Sequence, residues 1–137
     1  MNTSKTSAAR ESGSDTSTHG IRVQARAQWV ESQSDPEYGR WLYAYRIVIT
    51  NDGAAPARLR SRHWIILDAD NLREDVRGPG VVGKTPRLAP GESFTYSSTC
   101  PLRTAWGTME GSYSFERDDG SLFEARVGRF FLVPPPK

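Results

Sequence analysis

A chain of 137 residues, 36% hydrophobic and 25% charged, has room for one folded domain around one core, which excludes a multidomain architecture. A formal net charge of +2, from 18 basic and 16 acidic side chains, is too small to mark a polyanion binder, so nucleic acid is not expected as a partner. No apolar run approaches the length of a membrane span, the first residues lack the apolar stretch of a secretory signal, and the single Cys100 leaves no internal disulfide, so no membrane association is expected and the expected compartment is the cytoplasm.

Residues 1–19 hold few apolar side chains, cannot repay the entropy of ordering, and are expected to form a disordered tail. From residue 20 the dominant period is two. Ile21, Val23, Ala25, Ala27 and Trp29 alternate with Arg22, Gln24, Arg26 and Gln28, the pattern of a strand with one buried face. A second strand, 41–50, is aromatic and β-branched and stops at the turn sequence Asn51-Asp52-Gly53. A third, 57–70, ends in a polar turn around Asp70-Asn71, and 72–76 reads as a short strand. The stretch 78–91 carries four glycines and three prolines, which excludes a regular helix and predicts a long structured loop. Strands follow at 92–98, 108–118 and 122–133, the last two joined across Asp118-Asp119-Gly120, and a short proline-rich tail, 134–137, ends the chain. About seven short strands without a helical period predict an all-β antiparallel sandwich over 20–133, a barrel being the alternative.

The glycine loop raises the question of ligand. Gly78, Gly80 and Gly83 have the spacing of a dinucleotide fingerprint, but Pro86 and Pro90 follow where that motif requires a helix, so a nucleotide-binding αβ unit is ruled out by context. Glycines that let backbone amides converge can instead cradle an anion, with Arg77, Lys84 and Arg87 adding charge; the plainer reading is that they satisfy turn geometry. Arg58, Arg60 and Arg62 recur at period two with Trp64 next in line, either a basic stripe able to grip phosphates or a solvated face. In that register Leu59, Ile65 and Leu67 turn inward and so does His63, as a hydrogen-bonded histidine near the core. The carboxylates at Asp68, Asp70, Glu74 and Asp75 lack the spacing of a calcium loop and read as turn chemistry. Cys100 has no neighbouring histidine and Ser97-Ser98 no nucleophile elbow, so no catalytic set and no metal site are expected.

The succession YAYRIVITNDG, SRHWIILDAD, GPGVVGKTPRLAPGESFTYSS, LRTAWGTMEGSYSF and DDGSLFEARVGRFFL resembles the ApaG family, also called the DUF525 domain, over about residues 20–133. The resemblance implies an immunoglobulin or fibronectin type III-like sandwich of two antiparallel sheets. It also implies a pyrophosphate-binding role for the loop at Gly78, Gly80 and Gly83, and it places the family's Arg-His-Trp segment on Arg62, His63 and Trp64. Asn71 stands where the family's hairpin turn commonly has glycine, and Thr99-Cys100-Pro101 is an unusual version of its connection. Similar domains are fused to F-box proteins and to a DNA-polymerase-interacting protein, free bacterial members are often encoded near a diadenosine tetraphosphate hydrolase, and the resemblance also implies a link to cobalt and magnesium homeostasis. The expectation is a non-enzymatic module without cofactor that binds a protein partner and a pyrophosphate or nucleotide ligand through Arg77, Gly78, Gly80, Gly83 and Lys84. The competing expectations are a phosphohydrolase or metal-dependent enzyme acting on dinucleoside polyphosphates, a role in cobalt or magnesium homeostasis, and partner binding through an exposed sheet edge or an aromatic patch with no small ligand.

Overall fold

The computed structural model describes residues 13–136. Nine strands follow in order: β1 (Ser14–Thr18), β2 (Ile21–Trp29), β3 (Trp41–Asn51), β4 (Ala57–Asp68), β5 (Arg73–Pro79), β6 (Arg87–Leu88), β7 (Ser93–Leu102), β8 (Gly107–Arg117) and β9 (Leu122–Leu132). They form two antiparallel sheets, one in the order β1-β2-β3-β7 and one in the order β5-β4-β8-β9, with β6 also pairing on β4. This is the expected immunoglobulin or fibronectin type III-like sandwich. The only helical elements among the described residues are two single 3-10 turns at Glu31–Gln33 and Pro36–Tyr38.

The two strands beyond the seven expected are β1 and β6. β1 lies inside the segment assigned to the tail, and that assignment is corrected for its residues; residues 1–12 lie outside the described residues. Ser-Asp-Thr-Ser-Thr carries no apolar alternation, so nothing in its side chains announces a strand. Its order comes from backbone pairing to β2, from Thr18 opposite Ile21 to Ser14 opposite Ala25, through a two-residue turn in which His19 and Gly20 both have positive φ. The Thr18 hydroxyl then accepts a hydrogen bond from the Arg126 amide of β9, which closes that side of the sandwich. The opposite side, between β5 and β7, stays open.

The core is the expected inward set of β2 and β3, with Ile21, Val23, Ile47 and Ile49 fully covered, facing Leu59, Tyr113, Phe115 and Phe130 of the second sheet. Trp64 is 3% exposed at its centre and meets Tyr45, Tyr113 and Phe130 edge to face at 5.5–6.0 Å between centroids. Such pairs contribute about 0.5–1.5 kcal/mol each beyond area burial. Asn51 is fully buried, and its amide bonds Ala55 O, Leu88 O and the Gly53 N–H, so the turn read at Asn51-Asp52-Gly53 is locked from within.

β4 departs from simple alternation. Its pairing with β8 shifts between Leu59 and Ser61, so Arg60 is an inserted residue and the faces exchange after it. Leu59 is inside before the bulge, and Trp64 and Ile66 take the inner face after it. The expected register is therefore corrected: Arg62 turns toward the interior, while His63, Ile65 and Leu67 turn to the outer face.

Candidate functional site

The bulge in β4 faces the segment in which the chain leaves the edge of the second sheet. β5 pairs with β4 from Leu67↔Arg73 to Ser61↔Pro79, and β6 pairs with it again at Ala57↔Leu88. Between them residues 80–86 loop outward, pinned at the base by the Gly80 N–H on Arg60 O and the Leu59 N–H on Pro86 O, at 2.8 and 3.0 Å. The tip is a two-residue turn in which Val81 and Lys84 exchange both backbone hydrogen bonds, and Val82 and Gly83 have φ of 44° and 78°. Positive φ at both central positions is the mirror-image turn that suits a hairpin. The long loop expected over 78–91 is thus the end of β5, a tight hairpin, the two residues of β6 and a closing turn over 89–91.

Each glycine of the loop has a separate reason. Gly80, at φ 58°, has no room for a side chain, since a Cβ there would lie 2.4 Å from the Lys84 carbonyl oxygen. A Cβ at Gly78 would lie 2.9 Å from the Arg62 guanidinium, whereas at Gly83 it would meet nothing. Arg62 is half-buried beneath this backbone and donates to Pro79 O and Gly80 O, each at 2.9 Å. Its positive charge also favours ionisation of the phenols of Tyr45, Tyr96 and Tyr113, against a burial that raises all three. The basic stripe is accordingly split: Arg58 donates to Thr85 O, Arg60 pairs with Glu116, and Arg62 underpins the loop from the other face.

The amides that would hold an anion are partly committed, because those of Gly80, Val81 and Lys84 bond within the fold. Among the described residues, the amides of Val82 and Gly83 at the tip have no backbone acceptor, and the exposed side chains of Arg77 and Lys84 form no ion pair. Val82 is 54% exposed. It is a β-branched residue in the left-handed region, a strained conformation of the kind found at recognition sites. Arg87 instead pairs with Asp118 at 2.5 Å.

On the outer face His63 Nε2 lies 2.8 Å from Asp75 Oδ2, and the Arg73 guanidinium donates to both oxygens of that carboxylate, at 2.7 Å to Oδ1 and 3.0 Å to Oδ2. Arg73, and then His63, hold the Asp75 carboxyl well below the usual carboxylate range. Trp64, the third residue of that segment, belongs to the core. The carboxylates do not converge: Asp68 accepts the Asp70 and Leu72 amides to shape its turn, Asp75 is paired, and Glu74 points to the opposite face, where its charge adds to the burial that pushes the Cys100 thiol up to about 12. Asn71, at φ 63°, does there what a glycine would. Among the described residues no group of three or more His, Cys, Asp or Glu side chains could hold a metal ion.

The ApaG domain model matches residues 31–117, a span that runs from the first 3-10 turn through the hairpin to the end of β8. The chain belongs to the ApaG family. It is 52% identical to Protein ApaG of Dechloromonas aromatica, over 89% of this chain and 96% of that relative. It is 46% identical to Protein ApaG of Bdellovibrio bacteriovorus, over 88% and 94%. A crystal structure of a Bordetella pertussis protein described as ApaA superposes with a TM-score of 0.83 at 43% identity, covering 89% of this chain and 98% of that one. The C-terminal domain of Wzt, 9% identical with a TM-score of 0.53, shares the fold alone. No helix among the described residues is long and apolar enough to cross a membrane.

Proposed function

We propose that this protein is a non-enzymatic binding module whose recognition element is the hairpin at residues 80–86, which takes a phosphate-bearing group while the protein engages a protein partner. The observation that carries the reading is the tip itself, where the amides of Val82 and Gly83, without a backbone acceptor among the described residues, stand beside the exposed charge of Lys84. Amides with positive charge alongside are what a phosphate oxygen needs, and charge-assisted hydrogen bonds are the stronger kind. Arg77 adds a second exposed cation on the strand leading to the hairpin. A catalytic reading has less support. The His63–Asp75 pair stands on an open sheet face, and Ser112, opposite His63 on β8, makes no hydrogen bond to it among the described residues. Catalysis would also need donors aimed at a developing charge, whereas the β8 amides there lie within a paired ladder.

Titration of the purified chain with pyrophosphate, followed by amide resonances, is the test. Saturable shifts over residues 77–87 are expected, weakened about tenfold by Lys84→Gln, the equivalent of one charged hydrogen bond. Unmoved resonances in that segment would sink the phosphate reading, and turnover of a dinucleoside polyphosphate with magnesium would sink the non-enzymatic one.

A further inference from the structure

The open side of the sandwich is bounded by β5 and β7, and the two edges are differently made. β5 reads Arg-Glu-Asp-Val-Arg-Gly-Pro, four charges in seven residues, the usual defence against unwanted strand pairing. β7 reads Ser-Phe-Thr-Tyr-Ser-Ser-Thr-Cys-Pro-Leu, ten residues without a single charge.

Which amides of β7 are free follows from the ladder. The Asn51 N–H bonds Glu92 O on the β7 side, and the Asp52 N–H bonds Gly20 O on the β2 side. Antiparallel pairs alternate, so odd residues of β3 bond toward β7 and even residues toward β2. Since Ile47 pairs with Tyr96 and Tyr45 with Ser98, the even residues of β7 spend their amides on β3. Ser93, Thr95, Ser97 and Thr99 therefore present N–H and C=O groups outward. Pro101 falls in the same phase, where its missing N–H costs nothing.

The sheet behind this edge has an unbalanced charge. Its four strands contain three basic residues, Arg22, Arg26 and Arg46, and one acid, Asp15, which Arg22 already holds at 2.6 Å. Arg26 and Arg46 stand directly opposite each other, an arrangement of like charges that destabilises a sheet, and Arg46 has Ser97 as its other neighbour. A residue added beside Ser97 would lie about 10 Å from Arg46, two strand spacings, within reach of facing arginine and glutamate side chains. Alternate residues of the added strand would point into the open side, where the apolar side chains of Trp41, Ile66, Leu72 and Leu102 share the lining of a groove of about 740 Å³ with charged residues that include Arg40, Arg73 and Glu74.

We infer that β7 is a strand-addition site for an extended segment of a partner protein that alternates acidic with apolar residues, its acids facing Arg46 and its apolar side chains the groove. Main-chain hydrogen bonds along the edge supply affinity, and the alternating side chains supply specificity. The inference rests on reading the protein as a binding module and names the partner's chemistry at a second place on it.

The probe is a capped octapeptide alternating glutamate and valine, with its lysine–valine counterpart as control, titrated into the full chain and followed by amide resonances. Expected are saturable shifts along Ser93–Leu102, slowed exchange of the outward amides, and binding at least about tenfold tighter for the glutamate peptide, as charge complementarity requires. Ser97→Pro, which removes an outward N–H only, abolishes binding. Arg46→Glu reverses the preference between the peptides, which keeps the test decisive should the proline variant misfold. Equal affinity for both peptides, shifts elsewhere or none, or a free protein that light scattering finds dimeric with its β7 amides already protected, would each overturn the proposal. Silence at β7 beside pyrophosphate shifts at the hairpin would do so while leaving the module reading intact.

Discussion

Asp75 shows how little of a residue's role its neighbours in sequence disclose. Read along the chain it belongs to a carboxylate cluster; in the fold it is separated from Glu74 by the pleat, takes the Arg73 guanidinium on both oxygens and meets His63 at one of them. Arg73 first and His63 second depress its pKa, so its contribution to stability is present above the unfolded value of about 3.9 and is lost as pH falls through the lower folded value. The carboxyl carbon resonance of Asp75 is expected to titrate below the usual range, and Arg73→Ala to move that midpoint upward; an unchanged midpoint would show that the ion pair is not formed in solution. Because Arg73 and Asp75 are exposed to solvent and His63 is only half-buried, the effect belongs in the titration curve more than in the melting temperature. Arg62, two positions from Trp64 and on the same face, acts oppositely, spending its donors inside the fold on the carbonyls that shape the loop.

The hairpin and the long strands behave differently as elements. The strands are over-determined, with alternation, β-branched composition and turn residues all agreeing. The hairpin rests on backbone conformation at particular residues, and these have unequal tolerances. Gly80→Ala should cost about 3 kcal/mol or more, since a left-handed residue already loses about 1–2 kcal/mol and the new methyl would also meet a carbonyl oxygen. Gly83→Ala, with open space around it, should cost only about 1 kcal/mol. Val82→Asn should stabilise by about 1 kcal/mol, because asparagine tolerates the left-handed conformation that valine resists. Urea unfolding of the three variants checks the ranking. Equal losses at Gly80 and Gly83 would mean that the turn differs from the one described, whereas the expected order means that Gly80 is required for the shape of the hairpin.

At the scale of the molecule, the sandwich is sealed on one side and open on the other, and the seal involves residues that look dispensable in sequence. Deleting residues 1–19 removes β1 and its five cross-strand pairs and uncovers β9, so stability should fall by on the order of 2 kcal/mol, read as a lower urea midpoint. An unchanged midpoint would show that β1 adds nothing to the domain. The sequence by itself determined the all-β class, seven of the strands and the turns at Asn51-Asp52-Gly53 and Asp118-Asp119-Gly120, because burying one face of a pleated strand forces a period of two and hairpins demand particular turn residues. It also carried the family. Only the tertiary structure decided that β1 exists, that Pro101 lies within an edge strand, and that Arg62 and His63 face opposite ways from the expected register. The physical reason is common to all three: backbone pairing between distant segments leaves no trace in side-chain pattern, and one inserted residue at Arg60 reverses every face beyond it while the run of alternating arginines reads the same.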